Sequence, residues 1–167
     1  PECATCTIAK SRKEALHPTV IVRSARVNHR MHMDLGFTRN CDYTFQLYID
    51  DHTRESYIDI LPSKGDTLDG WVALTTHLEK LHAPWKCAGI KTDSEPVYCS
   101  NAWTSHCQDE GIAHEFSSRH RHDQLGVVER GMQTIGTAFR CMMIQGHAPA
   151  SKSPNALRHA NVIRNNS

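Results

Sequence analysis

The sequence is short of the features that would assign it at once to a membrane, secreted or disordered class. No apolar run approaches the roughly 18 residues that a membrane-spanning helix needs. The opening Pro1, Glu2, Cys3 and Ala4 lack the basic start and apolar stretch of a signal peptide. An initial Met is also missing, which reads as a processed product or an excised fragment. Internal repeats and low-complexity tracts are absent, so 167 residues are expected to form one domain. Net charge is only +1, so no global basic field announces nucleic acid, and any DNA surface has to be local. Cysteine, by contrast, is plentiful. The seven residues are odd in number and scattered apart from Cys3 and Cys6, which favours intracellular thiols over a disulfide framework. With 39% hydrophobic and 22% charged residues, the chain has the balance of a domain that buries a core.

Residues 3–26 carry few periodic hydrophobics and read as a lead-in segment. Met31, Met33 and Leu35 then alternate with His32 and Asp34. That period of two predicts a short strand with Asp34 near its end, on the face opposite the methionines. Tyr43, Phe45, Leu47 and Ile49 alternate in the same way. A polar turn at residues 51–53 leads to a third run in which Ser56, Ile58 and Ile60 share a face, so residues 43–60 predict a β-hairpin. Between residues 64 and 81 the period becomes helical, with Leu68, Trp71, Val72, Thr75, Leu78 and Leu81 on one stripe. Residues 87–92 predict a strand leading into Asp93. Ser100 is a suitable N-cap for a helix closed by Gly111, and residues 112–116 predict a last strand. From residue 124 to 145 Leu125, Val128, Met132, Ile135, Phe139 and Met143 recur at helical spacing, and a further helix is expected near residues 156–163. The order β-β-β-α-β-α-β-α implies a mixed α/β domain with helices on both faces of the sheet.

Three acids stand at suggestive places. Asp34 and Asp93 belong to strand ends, and Glu129 lies in the first turns of the long helix, roughly 80° from the middle of an apolar stripe centred near Met132 and Phe139. Converging carboxylates repel one another, and divalent cations remove that conflict. Pattern alone does not decide the matter, because 18 acidic residues guarantee that some fall at strand ends. The clusters Lys10, Arg12, Lys13 and Arg119, His120, Arg121, His122 are either local phosphate contacts or ordinary solvated charges.

At these acids the chain resembles the integrases of copia-type long-terminal-repeat retrotransposons, within the retroviral integrase and RNase H-like superfamily. The resemblance rests on His32-Met-Asp34, on Phe45 to Leu61 with Tyr48-Ile-Asp-Asp51 and Thr53-Arg54, on Ile90-Lys-Thr-Asp93, and on Gly126-Val-Val-Glu129-Arg130. It also includes Leu157 to Asn165. Between Asp93 and Glu129 lie 35 residues, the interval typical of that family's DDE motif. The resemblance implies an RNase H-like fold, with a five-stranded mixed sheet flanked by helices, over residues 27–167. It implies Asp34, Asp93 and Glu129 as catalytic ligands of Mg²⁺ or Mn²⁺. The reactions implied are 3′-end processing of element DNA and its strand transfer into target DNA. DNA, a homo-oligomer and no membrane are the implied partners, and Arg119, His120, Arg121, His122 and Arg130 the implied DNA contacts. Activity in the nucleus and passage through cytoplasmic particles as part of a polyprotein follow from the same likeness.

Two departures stand out. Ser94-Glu95-Pro96-Val97-Tyr98 replaces the family's common Asn-Gly-x-Glu-Phe, and Leu125 stands where a polar Asn is usual. Cys3-x-x-Cys6 resembles the end of the family's N-terminal zinc-binding segment, so residues 1–26 are expected to be the tail of that segment plus a linker. Cys3 and Cys6 would be Zn²⁺ ligands of a longer parent chain that carries the family's upstream histidines; His17, His29 and His32 are the candidate substitutes within this chain, but they follow the cysteines rather than precede them. Two alternatives carry different chemistry. One is a catalytically decayed or repurposed nucleic-acid-binding domain. The other is an RNase H-type nuclease, which places a further acid on the first helix, where Glu79 stands.

Overall fold

The computed structural model describes residues 23–37, 43–117 and 126–166. Strand β1 (Arg30–Phe37) pairs antiparallel with β2 (Thr44–Asp50), and β2 pairs antiparallel with β3 (Ser56–Leu61). A 3₁₀ turn at Lys64–Asp66 leads into α1 (Thr67–Leu81), followed by β4 (Gly89–Thr92), α2 (Asn101–Asp109) and β5 (Ala113–Phe116). The chain closes with α3 (Gly126–Gln145), a 3₁₀ turn at Ala150–Lys152 and α4 (Ser153–Asn165). The sheet order is β3-β2-β1-β4-β5, with β4 parallel to both β1 and β5. Strands β1, β4 and β5 therefore end at one edge of the sheet.

Alternation along the strands divides the apolar residues between two cores. Met31, Met33, Leu35 and Ile90 face α1 and α2, meeting Trp71, Leu78, Trp103 and Tyr98. Tyr48 stacks on Trp71 with centroids 6.1 Å apart, and Tyr98 meets Trp103 edge-on at 5.4 Å. Phe45, Leu47 and Ile49 face the other way and pack with Val128, Ile135, Leu157 and Ala160 of α3 and α4. Each such fully buried side chain contributes roughly 1.5–3 kcal/mol.

Ser63 caps the 3₁₀ turn before α1 reciprocally with Asp66. Ser100 accepts from the Trp103 amide at the start of α2, and Gly111 follows that helix at φ +66, a conformation glycine adopts without cost. Both ends of α2 match the sequence expectation. The expected stripe of α1 is too wide, since Val72 and Leu81 are exposed and the buried line is Thr67, Trp71 and Leu78. The stripe of α3 is displaced. Its buried line runs Val128, Gly131 and Ile135, with Met132 and Phe139 only packed against it. The cause is Gly131. A Cβ there would lie 2.5 Å from Ile49 Cδ1, so glycine lets α3 settle onto β2 along that line.

Long-range hydrogen bonds fasten the edges. The Asn161 and Asn165 side-chain amides each donate to the Ser56 carbonyl at 2.8 Å, tying α4 to the start of β3. The acids of the β2–β3 turn are structural. Asp50 Oδ1 accepts from the amides of His52 (2.9 Å) and Thr53 (2.7 Å), while its Oδ2 accepts from the Asn28 amide at 2.7 Å. Asp51 accepts from the Ser24 amide and hydroxyl and from His32 Nε2 at 2.9 Å, and it is ion-paired with Arg54 at 3.2 Å.

Candidate active site

The parallel pairing of β1 with β4 sets Arg30 beside Gly89, Met31 beside Ile90 and His32 beside Lys91. Carried forward at the same offset, this register brings Asp34 level with Asp93 on strands about 4.8 Å apart. Asp34 lies opposite Leu47 of β2, on the face covered by α3 and α4, and strand alternation puts Asp93 on that face as well. Asp34 is inside β1 rather than near its end, because the strand continues to Phe37. Asp93 directly follows β4. Glu129 occupies the first turn of α3 over the same face. With the buried line of α3 displaced, Glu129 stands about 120° from it rather than 80°, and it is half-buried.

The electrostatics single out Asp34. Burial raises its carboxyl most, the charge of Asp93 raises it further, and Glu129 and Glu95 add smaller contributions. The Leu35 amide, donating at 2.8 Å, offsets only part, and the group is pushed up to about 7. Asp93 is also raised, by burial first and by Glu95, against the Glu95 amide (3.1 Å) and Lys64, which favour its charge. The contrast with Asp51 is sharp. Burial opposes ionisation there too, but hydrogen bonds from His32 and Ser24 hold that carboxyl down to about 2. His32 itself is lowered, by burial first, so it donates to Asp51 as a neutral ring. The same fold thus satisfies one buried acid and leaves another in conflict.

Asp34, Asp93 and Glu129 fit a hard divalent cation by the chemistry of their oxygens and by this uncompensated repulsion. As placed, though, no three His, Cys, Asp or Glu side chains among the described residues surround a common point closely enough to hold an ion. The carboxylates feel one another without being gathered.

The other expected site residues fall elsewhere. Arg130 is exposed beside Glu129, and its charge reaches Arg54. Arg119, His120, Arg121 and His122, like Cys3, Cys6, His17 and Leu125, lie outside the described residues. His32 is committed to Asp51 and buried, so its ring is not open to a zinc site. Glu79 lies on α1, which packs on the opposite face of the sheet, and its carboxylate stands 3.9 Å from Lys86, near the amino end of β4. It is therefore remote from Asp93 at the other end of that strand.

Sequence reasoning missed Glu95 as part of this site. Its charge acts on both Asp34 and Asp93, and it bonds Lys64 at 3.5 Å. The signal was present, since Asp93-x-Glu95 is a turn in which the first side chain accepts from the third amide. The link to Lys64 had no local signal.

No protein-family model matches the chain, and no curated protein matches it. Solved structures do. A chain of the simian T-cell lymphotropic virus intasome, in complex with the PP2A regulatory subunit B56 gamma, superposes with a TM-score of 0.72 and 19% identity over 95% of this chain. This chain spans 55% of that one. The HTLV-2 integrase catalytic core domain in complex with magnesium matches in its trimeric form with a TM-score of 0.63 and 18% identity, over 83% of this chain and 86% of that one. In its dimeric form the values are 0.62 and 18%, over 83% and 87%. The fold is therefore that of retroviral integrase catalytic cores, the RNase H-like fold with its five-stranded mixed sheet, as the sequence resemblance implied.

Proposed function

We propose that this chain is the catalytic core of a retroelement integrase, of the copia retrotransposon type, in which Asp34, Asp93 and Glu129 hold Mg²⁺ or Mn²⁺. The observation that carries the reading is the unrelieved carboxylate conflict at Asp34, level with Asp93 and under the first turn of α3. Perturbed acids collect where a site is built for something other than stability. The magnesium-bound HTLV-2 core supports a divalent ion on this fold.

When bound between such carboxylates, a divalent pair activates an attacking oxygen and stabilises the leaving oxygen of an in-line phosphoryl displacement. The chain's own residues do the rest. Asp34 lies within β1 and Asp93 one residue beyond β4, so the β1–β4 register brings their backbones level. The Leu35 and Glu95 amides orient one oxygen of each and leave the other free of those bonds. Asp34 gives up its proton as the site fills, because its charge is costly only while uncompensated. Arg130 and Arg119 to His122 would meet the DNA backbone.

The reactions are 3′-end processing of element DNA and strand transfer into target DNA, by a homo-oligomer that acts in the nucleus and travels in cytoplasmic particles as part of a polyprotein. Residues 1–26 would be the end of a zinc-binding segment with its linker, with Cys3 and Cys6 as ligands in a longer chain. An RNase H-type nuclease is the less favoured reading because Glu79 lies near the amino end of β4, the opposite end of that strand from Asp93. The test is strand transfer with a labelled duplex end in Mg²⁺ or Mn²⁺, with disintegration, the reverse joining reaction, run beside it. Joined product that disappears in Asp34→Asn supports the proposal. DNA binding with no product under either metal would instead mark a decayed, binding-only domain.

A further inference from the structure

The edge where β1, β4 and β5 end carries more than acids. Phe37 closes β1 and is 55% exposed, and Phe116 closes β5 and is 45% exposed. Strand order places Phe37 on one side of Asp93 and Phe116 on the other. Phe116 is level with Thr92, the residue before Asp93, and its ring packs at a tilt against His114, centroids 4.0 Å apart. Both aromatics fall on the α1–α2 side of the sheet by strand alternation, and the link from this side to Asp93 runs through Glu95, whose amide donates to Asp93 Oδ1 at 3.1 Å. Lys64 sits above Phe37, its ammonium 4.6 Å from the ring centre, and reaches Glu95 at 3.5 Å. The capped turn at Ser63 fixes the backbone from which Lys64 extends.

About half of each phenyl side chain stays exposed, apolar area that a ligand can still cover. Two such rings with a lysine between one ring and an acidic centre match what single-stranded nucleic acid needs, namely π-faces for bases and a cation for phosphate. The Lys64–Glu95 pair is half-exposed and so weakly held, and a phosphate can displace it at little cost. Open α/β sheets also bind ligands at the carboxyl ends of parallel strands. A second cation–aromatic pair, Arg26 over Trp85 at 4.8 Å, lies at the opposite edge, near the start of β4, where the neighbouring Lys86 already pairs with Glu79 and Glu110.

We infer that Phe37, Lys64 and Phe116 form a rim that holds unpaired nucleotides of a DNA end beside the acidic site. Phe37 and Phe116 stack on bases and Lys64 takes a phosphate. The inference rests on the proposed function and names the form of DNA that the site accepts.

The experiment measures binding of the 167-residue chain by fluorescence anisotropy, in Ca²⁺, to a blunt duplex and to one with a five-nucleotide 3′ overhang. The wild type is expected to prefer the overhang. Phe37→Ala and Phe116→Ala should each weaken overhang binding about tenfold and leave the blunt duplex unchanged, while Phe37→Trp retains the preference. Lys64→Ala should lower the salt dependence by about one phosphate contact, and Lys64→Arg should restore it. Trp85→Ala, at the other edge, should match the wild type. Equal binding of both duplexes by the wild type, unchanged overhang binding in the two alanine variants, or no DNA binding at all would overturn the inference. Calcium binding without DNA, compared between wild type and Asp34→Asn, separates the two ideas. If Asp34→Asn leaves it intact while the rim variants still lose overhang binding, the acid assignment fails and the rim stands. If Asp34→Asn removes it while rim variants change nothing, the rim fails and the acid assignment stands.

Discussion

Replacing Asp34 with asparagine keeps the shape of the side chain and its ability to accept from the Leu35 amide, but removes the charge that the site does not compensate. The folded protein raises this carboxyl from its usual 3.8 to about 7. Between those values the folded chain keeps a proton that the unfolded chain has released. Stability therefore falls as pH rises through that window and bears the full cost above about 7. Roughly three pKa units correspond to an upper bound of about 4 kcal/mol. Partial exposure of the carboxyl screens the effect, leaving ~2 kcal/mol, or roughly 4–8 °C in melting temperature for a domain of this size. In EDTA, Asp34→Asn should melt higher than wild type by that amount at pH 8 and at the same temperature near pH 4. Millimolar Mg²⁺ should raise the wild type and leave the variant where it is. Thermal melts followed by circular dichroism across pH 4–8 provide the measurement. A variant no more stable than wild type at pH 8, or a gap that does not change with pH, would refute the reasoning.

Three other outcomes follow from the same structure. Asp93→Asn and Glu129→Gln should each lower disintegration activity by roughly 10²-fold or more with unchanged far-ultraviolet circular dichroism; activity within a few-fold of wild type would remove the residue from the site. Asp51 behaves in the opposite sense to Asp34. Its carboxyl is held down to about 2 in the folded state, so its stabilisation is present above the ordinary carboxylate range and lost as pH falls through about 2. Asp51→Asn should cost about 1–3 kcal/mol in urea unfolding at pH 7, and an unshifted midpoint would show that the His32 and Ser24 bonds carry no stability. Gly131→Ala should destabilise by about 1–3 kcal/mol through overpacking against Ile49 and Leu47, although alanine is the better helix former. Gly136→Ala, where a Cβ meets only the flexible Arg140 end at 3.4 Å, should stabilise by about 0.5–1 kcal/mol, and equal effects at the two glycines would contradict the packing account.

The elements were legible wherever side chains alternate or repeat. Met31, Met33 and Leu35 marked β1, Ser100 marked the start of α2, and Gly111 marked its end. The family resemblance supplied the five-stranded mixed sheet, but its strand order, which no local pattern encodes, came from the structure. What escaped was decided by contacts far apart in sequence. Gly131 rotates the buried line of α3 because of Ile49 and Leu47, more than 80 residues earlier, and a helical wheel built from hydrophobicity discards a glycine. The quiet role of Asp51 depends on Ser24 and His32, and the unquiet one of Asp34 on Asp93. The three acids look alike in the sequence, and only partners distant along the chain tell them apart. The Lys64–Glu95 link joins a turn before α1 to the turn after β4, with nothing in either segment to announce the other.

The most direct test of the acidic centre is calorimetric titration of Mn²⁺ into the wild-type chain near pH 7, repeated in buffers of different ionisation enthalpy to count protons released. On the proposed reading, binding should displace the proton held by Asp34, so a substantial fraction of one proton per site should be released near pH 7 and almost none at pH 9. Asp34→Asn should lose both the binding and the proton release. Wild-type chain that takes up no Mn²⁺, or an Asn variant that binds it with the same affinity and the same proton count, would contradict the assignment of Asp34, Asp93 and Glu129 as a metal-holding triad.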